Sequence, residues 1–264
     1  MKKKFYFLIF FIILFSIIYL NSKSYRYVGN NYIIEKIKIS NFQKLSEFYK
    51  RHLNYQKLVK KITKNSKNKS TEIIDISTWV YKNIKKISDN DDVIDNHPYT
   101  IVERNLGTPD QFSDLLSVLL VYINIDSFFT NNSDINDKNK PHRKFNPVTF
   151  FKYKNEWSII DPYYGVYFIN NDNHFATIEE IKDANFTIRH LTFDNITILN
   201  IDKIFFDKNF MNITESIVYY KTLLLNLPNS KDINDTHIYE RGGRSYIQKP
   251  LHRILQQLKR VLNI

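Results

Sequence analysis

The chain has 264 residues, enough for one sizeable domain with extensions or two small ones, and a 43% hydrophobic, 15% aromatic composition that excludes a disordered chain. The formal charge is +11, which admits anionic partners such as phospholipid head groups or acidic glycans; the excess lies mainly in lysine, no nucleic-acid motif is present, and no nucleic-acid partner is expected. There is no cysteine, so disulfides, thiolate metal sites and thiol nucleophiles are all excluded.

Lys2, Lys3 and Lys4 precede a charge-free run from Phe5 to Leu20. A positive segment followed by an apolar one reads as a targeting element, and residues 1–24 form a signal anchor or a signal peptide. The apolar run is somewhat short for a full span, with Tyr19 and Asn21 placed to extend it at the interface. Ser22-Lys23-Ser24 offers only a weak cleavage pattern, which favours the anchor. The lysine cluster would keep the amino terminus cytoplasmic and put the bulk of the chain outside the cytoplasm, in the periplasm or at the cell surface.

Residues 25–70 read as an extension. A short strand is expected within 25–40. From Asn41 to Ile62, Leu45, Phe48, Tyr49, Leu53, Leu58, Val59 and Ile62 approximate helical spacing. Lys50, Arg51, Lys57, Lys60 and Lys61 form a basic face, either solvated or in contact with membrane or glycan. A polar linker follows.

A second helix covers the stretch with Ile73, Ile74, Ser77, Val80, Tyr81, Ile84 and Ile87, and a polar loop is expected over 88–102. The next helix has a well-specified start. Thr108 suits the N-cap, Pro109 the first helical position, and Gln111 the third position of a capping box. Asp110 complements the positive end of the helix dipole. Strands are expected at Asn124–Thr130, Val148–Tyr153 and Glu156–Asp161, the last two joined as a hairpin across Lys154 and Asn155, with 161–168 continuing the sheet. Thr177 and Glu180 open a short helix. Alternation suggests a strand over 186–201, and 207–227 looks helical. The final helix carries Leu251, Ile254, Leu255, Leu258, Val261 and Leu262 on one face, for packing on the domain or for a membrane interface.

The order of these signals over residues 71–182 resembles the core of the transglutaminase-like superfamily, which has a papain-type fold. In that family a Gly-x-Cys opens a buried helix. A histidine comes later, at the start of a strand, then a tryptophan and an Asp-Pro. Here Gly107-Thr108-Pro109 matches Gly-x-Cys with proline in the cysteine's place. Counting back from Trp157 puts Asn146 at the histidine position, and Asp161 matches the third triad member. Gly165–Phe168 and the Thr177 helix resemble members associated with bacterial surface polysaccharide loci. The resemblance implies an α+β fold, with amino-terminal helices packed on an antiparallel sheet. It divides the chain into residues 1–24, 25–70, a core at 71–182 and a carboxyl-terminal extension at 183–264.

That resemblance also implies lost chemistry. A thiol at a helix amino terminus is activated by the dipole and a neighbouring imidazole, and a carboxylate orients the ring. Pro109 has no nucleophile, Asn146 cannot exchange protons near neutral pH, and Asp161 alone transfers no acyl group. The implied protein is a pseudoenzyme, a binding or scaffold module in cell-surface polysaccharide assembly. Asp110, Gln111 and Trp157 would line a cleft for a glycan, peptide or envelope-protein partner, without cofactor or metal. The alternative is an active hydrolase or acyltransferase of the same fold, using a non-cysteine nucleophile such as Ser113. His142 lies on a polar loop, His174 and His190 lack metal-ligand spacing, and Arg241 and Arg244 flank a Gly-Gly turn that could bind an anion.

Overall fold

The computed structural model describes residues 2–30, 33–87, 97–130, 147–183, 185–192 and positions 227, 230 and 233; the side chains of 2–5, 8, 26–30, 33–34 and 130 lie outside that description. The architecture is α+β, with six α-helices and two antiparallel sheets among the described residues. The main sheet is a five-stranded meander of β5 (Ser127–Thr130), β6 (Val148–Tyr153), β7 (Glu156–Asp161), β8 (Val166–Ile169) and β9 (Thr187–His190), each paired with the next in sequence.

The β6–β7 hairpin forms where the sequence places it. Lys154 and Asn155 both have positive φ, 50° and 69°, as a two-residue turn matched to the twist of the strands requires. Pairing runs from Tyr153↔Glu156 to Thr149↔Ile160. Strand side chains alternate between faces, and each face builds its own core. Phe128, Val148, Phe150, Trp157, Ile159 and Phe168 point one way, toward α6 (Ile178–Lys182) with Leu227 and Ile233. Phe151 and Ile160 point the other way, into the helical layer.

That helical layer centres on α5 (Pro109–Val121), which buries Phe112, Leu115, Leu116, Leu119 and Leu120 completely. Against it pack α3 (Lys69–Asn83), through Ile73, Ile76 and Val80, and the carboxyl half of α2 (Asn41–Ile62), through Tyr55 and Val59. Capping boxes fix where these helices start: Ser40 with Gln43 for α2, and Asn68 with Thr71 for α3.

Several elements differ from the sequence reading. The helix expected to carry Ile84 and Ile87 ends at Asn83, where Lys85 and Lys86 enter a strand, and the strand expected from Asn124 begins at Ser127. The stretch 25–40 holds two strands, not one: β1 (Lys23–Asn30) and β2 (Ile33–Ser40) pair antiparallel from Lys23↔Ser40 to Asn30↔Ile33. Residues 98–102, expected as the end of a loop, fall instead in α4 (Pro98–Arg104). This helix is only seven residues long, too short to show a period. Its ends carry the signal instead: the His97 ring accepts from the Tyr99 N–H at 3.1 Å, Pro98 takes the first helical position, and Asn105 closes it at φ 54°. A two-residue parallel ladder then joins β3 (Lys85–Lys86) to β4 (Leu106–Gly107), tying the end of α3 to the lead-in of α5.

At the amino terminus, α1 (Lys2–Asn21) is a 20-residue helix. Among the described residues no helix is long and apolar enough to cross a membrane. Of the strand expected over 186–201, residues 186–192 are described, and Thr187–His190 of these form β9. The helix expected over 207–227 falls outside it except for Leu227, as do the carboxyl-terminal helix, Arg241, Arg244, His142 and Asn146.

Candidate functional site

The start of α5 is where a nucleophile would be sought, and its local structure follows from the residues around it. Asn105 turns the chain out of α4, and β4 lies beside β3. Gly107 packs closely: a Cβ there would meet Ile84 Cγ2 at 3.2 Å and Phe112 Cδ2 at 3.3 Å, so those side chains would have to give by a few tenths of an ångström. Thr108 then caps the helix, with its N–H donating to Gln111 Oε1 at 3.2 Å and its hydroxyl donating to the Asp110 carboxylate. Arg104 braces the segment from outside. Its Nε donates to the Leu106 carbonyl at 2.8 Å and its Nη2 donates to Gln111 Oε1. Pro109 is buried at the first helical position.

The expected site residues therefore have unequal roles. Pro109, Asp110 and Gln111 share the first turn, but Gln111 is buried and committed to the cap and to Arg104. Asp110 is half-buried and keeps some access to solvent. Trp157, expected in a cleft, is 4% exposed inside the sheet core, edge-on to Phe128 at 5.2 Å. Strand alternation explains this placement, because Trp157 shares a face with Ile159, away from α5.

Asp161 ends β7 and is fully buried. Its Oδ1 accepts from the N–H groups of Tyr163 and Tyr164, each at 3.0 Å. These bonds shape the turn into β8, as an aspartate side chain commonly does. The turn is linked to α5 by the Tyr163 ring, edge-on to Phe112 at 5.2 Å. The start of β6 is linked to α5 as well. Ser113 Oγ donates to the Pro147 carbonyl at 2.6 Å, and Thr149 Oγ1 donates to the Ser113 carbonyl at 3.1 Å. The first turns of α5, the start of β6 and the end of β7 thus meet at one end of the sheet.

Ser113 is a poor nucleophile in this setting. It is wholly buried, and its hydroxyl proton is directed at a main-chain carbonyl, not at a base. The hydroxyl fastens the helix to the sheet.

A group of residues that sequence patterns did not bring together lies at the same end. Lys86 pairs with Gly107, two residues before Pro109. Its Nζ sits over three tyrosine rings, 5.2 Å from Tyr81, 5.0 Å from Tyr163 and 5.7 Å from Tyr164, within cation–π range of each. His190 stands edge-on to Tyr81 at 5.2 Å, and its Nδ1 accepts from the Thr192 N–H at 3.2 Å. Gly165, at φ 71°, lets the two rings approach across the chain. Tyr81, Lys86, Tyr163 and His190 are all half-buried. They come from α3, β3, the β7–β8 turn and β9, so no local window contains them. The doublet Tyr163-Tyr164 before Gly165 was the one available sequence signal.

Chemically, this end of the sheet offers a cation, an imidazole and aromatic rings. Such a surface suits a ring-containing or anionic ligand. Among the described residues, no three histidine, aspartate or glutamate side chains gather as metal ligands.

The chain matches no protein-family model and no curated protein. One solved structure, from Parabacteroides distasonis ATCC 8503 and provisionally described as a protease, aligns with 12% identity and a TM-score of 0.33, over 68% of this chain and 40% of its own. The chain therefore spans less than half the length of that protein.

Proposed function

We propose that this chain is a membrane-anchored, extracytoplasmic module with a papain-like, transglutaminase-type core that no longer catalyses and instead binds a ligand in cell-surface polysaccharide assembly. One observation carries the reading: a buried proline opens the central helix at the Gly-x-Cys position, in a chain with no cysteine. The arrangement of a buried helix against an antiparallel meander supports the core, since that is the layout the resemblance implies. Lys86 and its tyrosines, beside Gly107, support binding in place of chemistry. The anchor is supported by the charge-free run Phe5–Leu20 and by the exposure of Tyr6, Phe7, Phe10, Ile12, Ile13, Phe15, Ile17 and Ile18 around α1. An apolar surface of that extent is unfavourable in water.

The test uses the purified full chain in detergent. No hydrolase or transamidase activity is expected on amide substrates, and immobilised protein should retain acidic polysaccharide fragments. Lys86→Gln should weaken that retention several-fold. Amide turnover that disappears with Ser113→Ala would overturn the proposal, as would polysaccharide retention indifferent to Lys86.

A further inference from the structure

Phe42, Leu45 and Tyr49 on α2 are 60%, 57% and 62% exposed. At 100° per residue, offsets of three and seven keep them within one narrow arc. They form an apolar stripe separate from the buried contacts of the helix, since no α2 residue before Tyr55 is buried. An amphipathic helix ordinarily turns such a stripe inward.

The stripe begins where α1 ends. The Asn41 N–H donates to the Ser22 carbonyl at 3.0 Å, and Asn41 Nδ2 donates to the Tyr19 carbonyl at 3.1 Å and to Ser22 Oγ at 2.8 Å. The β1–β2 hairpin starts and finishes at the same junction, with Lys23 paired to Ser40. Its exposed face has a particular chemistry. Tyr25 is 60% exposed, with Lys36 Nζ 4.3 Å and Lys38 Nζ 5.9 Å from the ring centroid. Strand alternation sends Glu35 to the opposite face. On α2, Glu47 lies well away from the stripe and holds Arg51 at 3.4 Å. Exposed aromatic and aliphatic side chains, bordered by Lys23, Lys36, Lys38 and Lys50, match the head-group layer of a bilayer. The uniform sign of these charges matches anionic lipid.

We propose that the first turns of α2 and the Tyr25 face of the hairpin lie in the head-group layer of the anionic membrane that holds α1. The inference rests on reading α1 as an anchor. It adds that the module is held flat against the bilayer, not suspended above it. The geometry makes the two postures distinct, because Tyr49 lies about 12 Å along α2 from Asn41, farther than a helix standing upright could keep in contact with the surface.

The absence of cysteine makes the test clean. Single cysteines at Ile13, Phe42, Leu45, Tyr49 and Lys50 are spin-labelled in the full chain, reconstituted in phosphatidylglycerol–phosphatidylcholine vesicles. The oxygen-to-nickel accessibility ratio should exceed the aqueous baseline several-fold at 13, 42, 45 and 49, and stay near baseline at 50. Phosphatidylcholine alone should lower the ratio at 42, 45 and 49; equal ratios overturn the assignment to anionic lipid. Baseline values at 42, 45 and 49 with Ile13 buried in lipid overturn the inference and leave the anchor standing. Shielding of the three positions from both reagents, as a protein partner would give, also overturns it. A baseline value at Ile13 removes the anchor reading and the inference together.

Discussion

Replacing Gly165 with alanine probes the junction that brings α3 against β9. The cost has two independent parts. Gly165 has φ 71°, a left-handed conformation that costs an L-residue about 1–2 kcal/mol. The added Cβ would also lie 2.9 Å from Tyr81 Cδ2 and Cε2 and 3.1 Å from His190 Nε2. Carbon atoms are comfortable at about 3.5–4.0 Å, so the ring must retreat by more than half an ångström. The Tyr81 ring is held between His190 and Lys86, and crowding of this sort costs about 1–3 kcal/mol. Alanine recovers about 0.4–1 kcal/mol by restricting the unfolded chain. The net destabilisation is about 2–4 kcal/mol, which at a urea m-value of about 2 kcal/mol/M lowers the unfolding midpoint by about 1–2 M. Urea titration of the full chain in mild detergent, followed by tryptophan fluorescence, reads this directly. Tyr81→Ala removes the closest contact and leaves the His190 contact and the backbone cost, so the double variant should show a favourable coupling of about 1–3 kcal/mol. A Gly165→Ala protein within about 0.5 kcal/mol of wild type would refute the reasoning, because that is the scatter of an unconstrained surface substitution. Full destabilisation with no coupling to Tyr81 would refute the steric half alone.

Phe112→Ala empties a fully buried site between Gly107 and Tyr163 and should cost about 3–5 kcal/mol by the same urea assay. Ser113→Ala leaves the Pro147 carbonyl without its donor and should cost about 1–3 kcal/mol, with no change in any catalytic readout. Two glutamates set an acid limit. Burial pushes the Glu179 carboxyl up, but bonds from the Ser230 hydroxyl and N–H, its own N–H and the charge of Lys182 outweigh this and hold it below its ordinary value. Burial likewise raises Glu180, and the Thr177 N–H, the Asn170 amide and the Thr177 hydroxyl bring it below. A depressed folded pKa adds stability above the unfolded value of about 4.3 and loses it as pH falls through the folded value. Melting temperature should therefore drop below about pH 4.3. Glu179→Gln should flatten that drop, and an unchanged pH profile would show that the Ser230 contact is immaterial.

The residues alone determined the local structure wherever one short window holds both the pattern and its punctuation. The α5 start is legible because Thr108, Pro109 and Gln111 are consecutive and each suits its capping position. The β6–β7 hairpin is legible because two strand-forming runs flank Lys154-Asn155 with only those two residues between them. The absence of a thiol nucleophile follows from a count and needs no coordinates. Tertiary structure decided what depends on distant residues meeting. Trp157 carries the right spacing for a cleft, but spacing does not tell which face of the sheet is covered, and the face it shares with Ile159 is sealed by α6, Leu227 and Ile233. Ser113 reads as a candidate hydroxyl nucleophile until Pro147, 34 residues away, is seen to accept its hydrogen bond. Lys86, Tyr81, Tyr163 and His190 come together only because β3 lies beside β4 and β8 pairs with β9. Periodicity is a property of one element, whereas burial and a shared site are properties of which elements pack together.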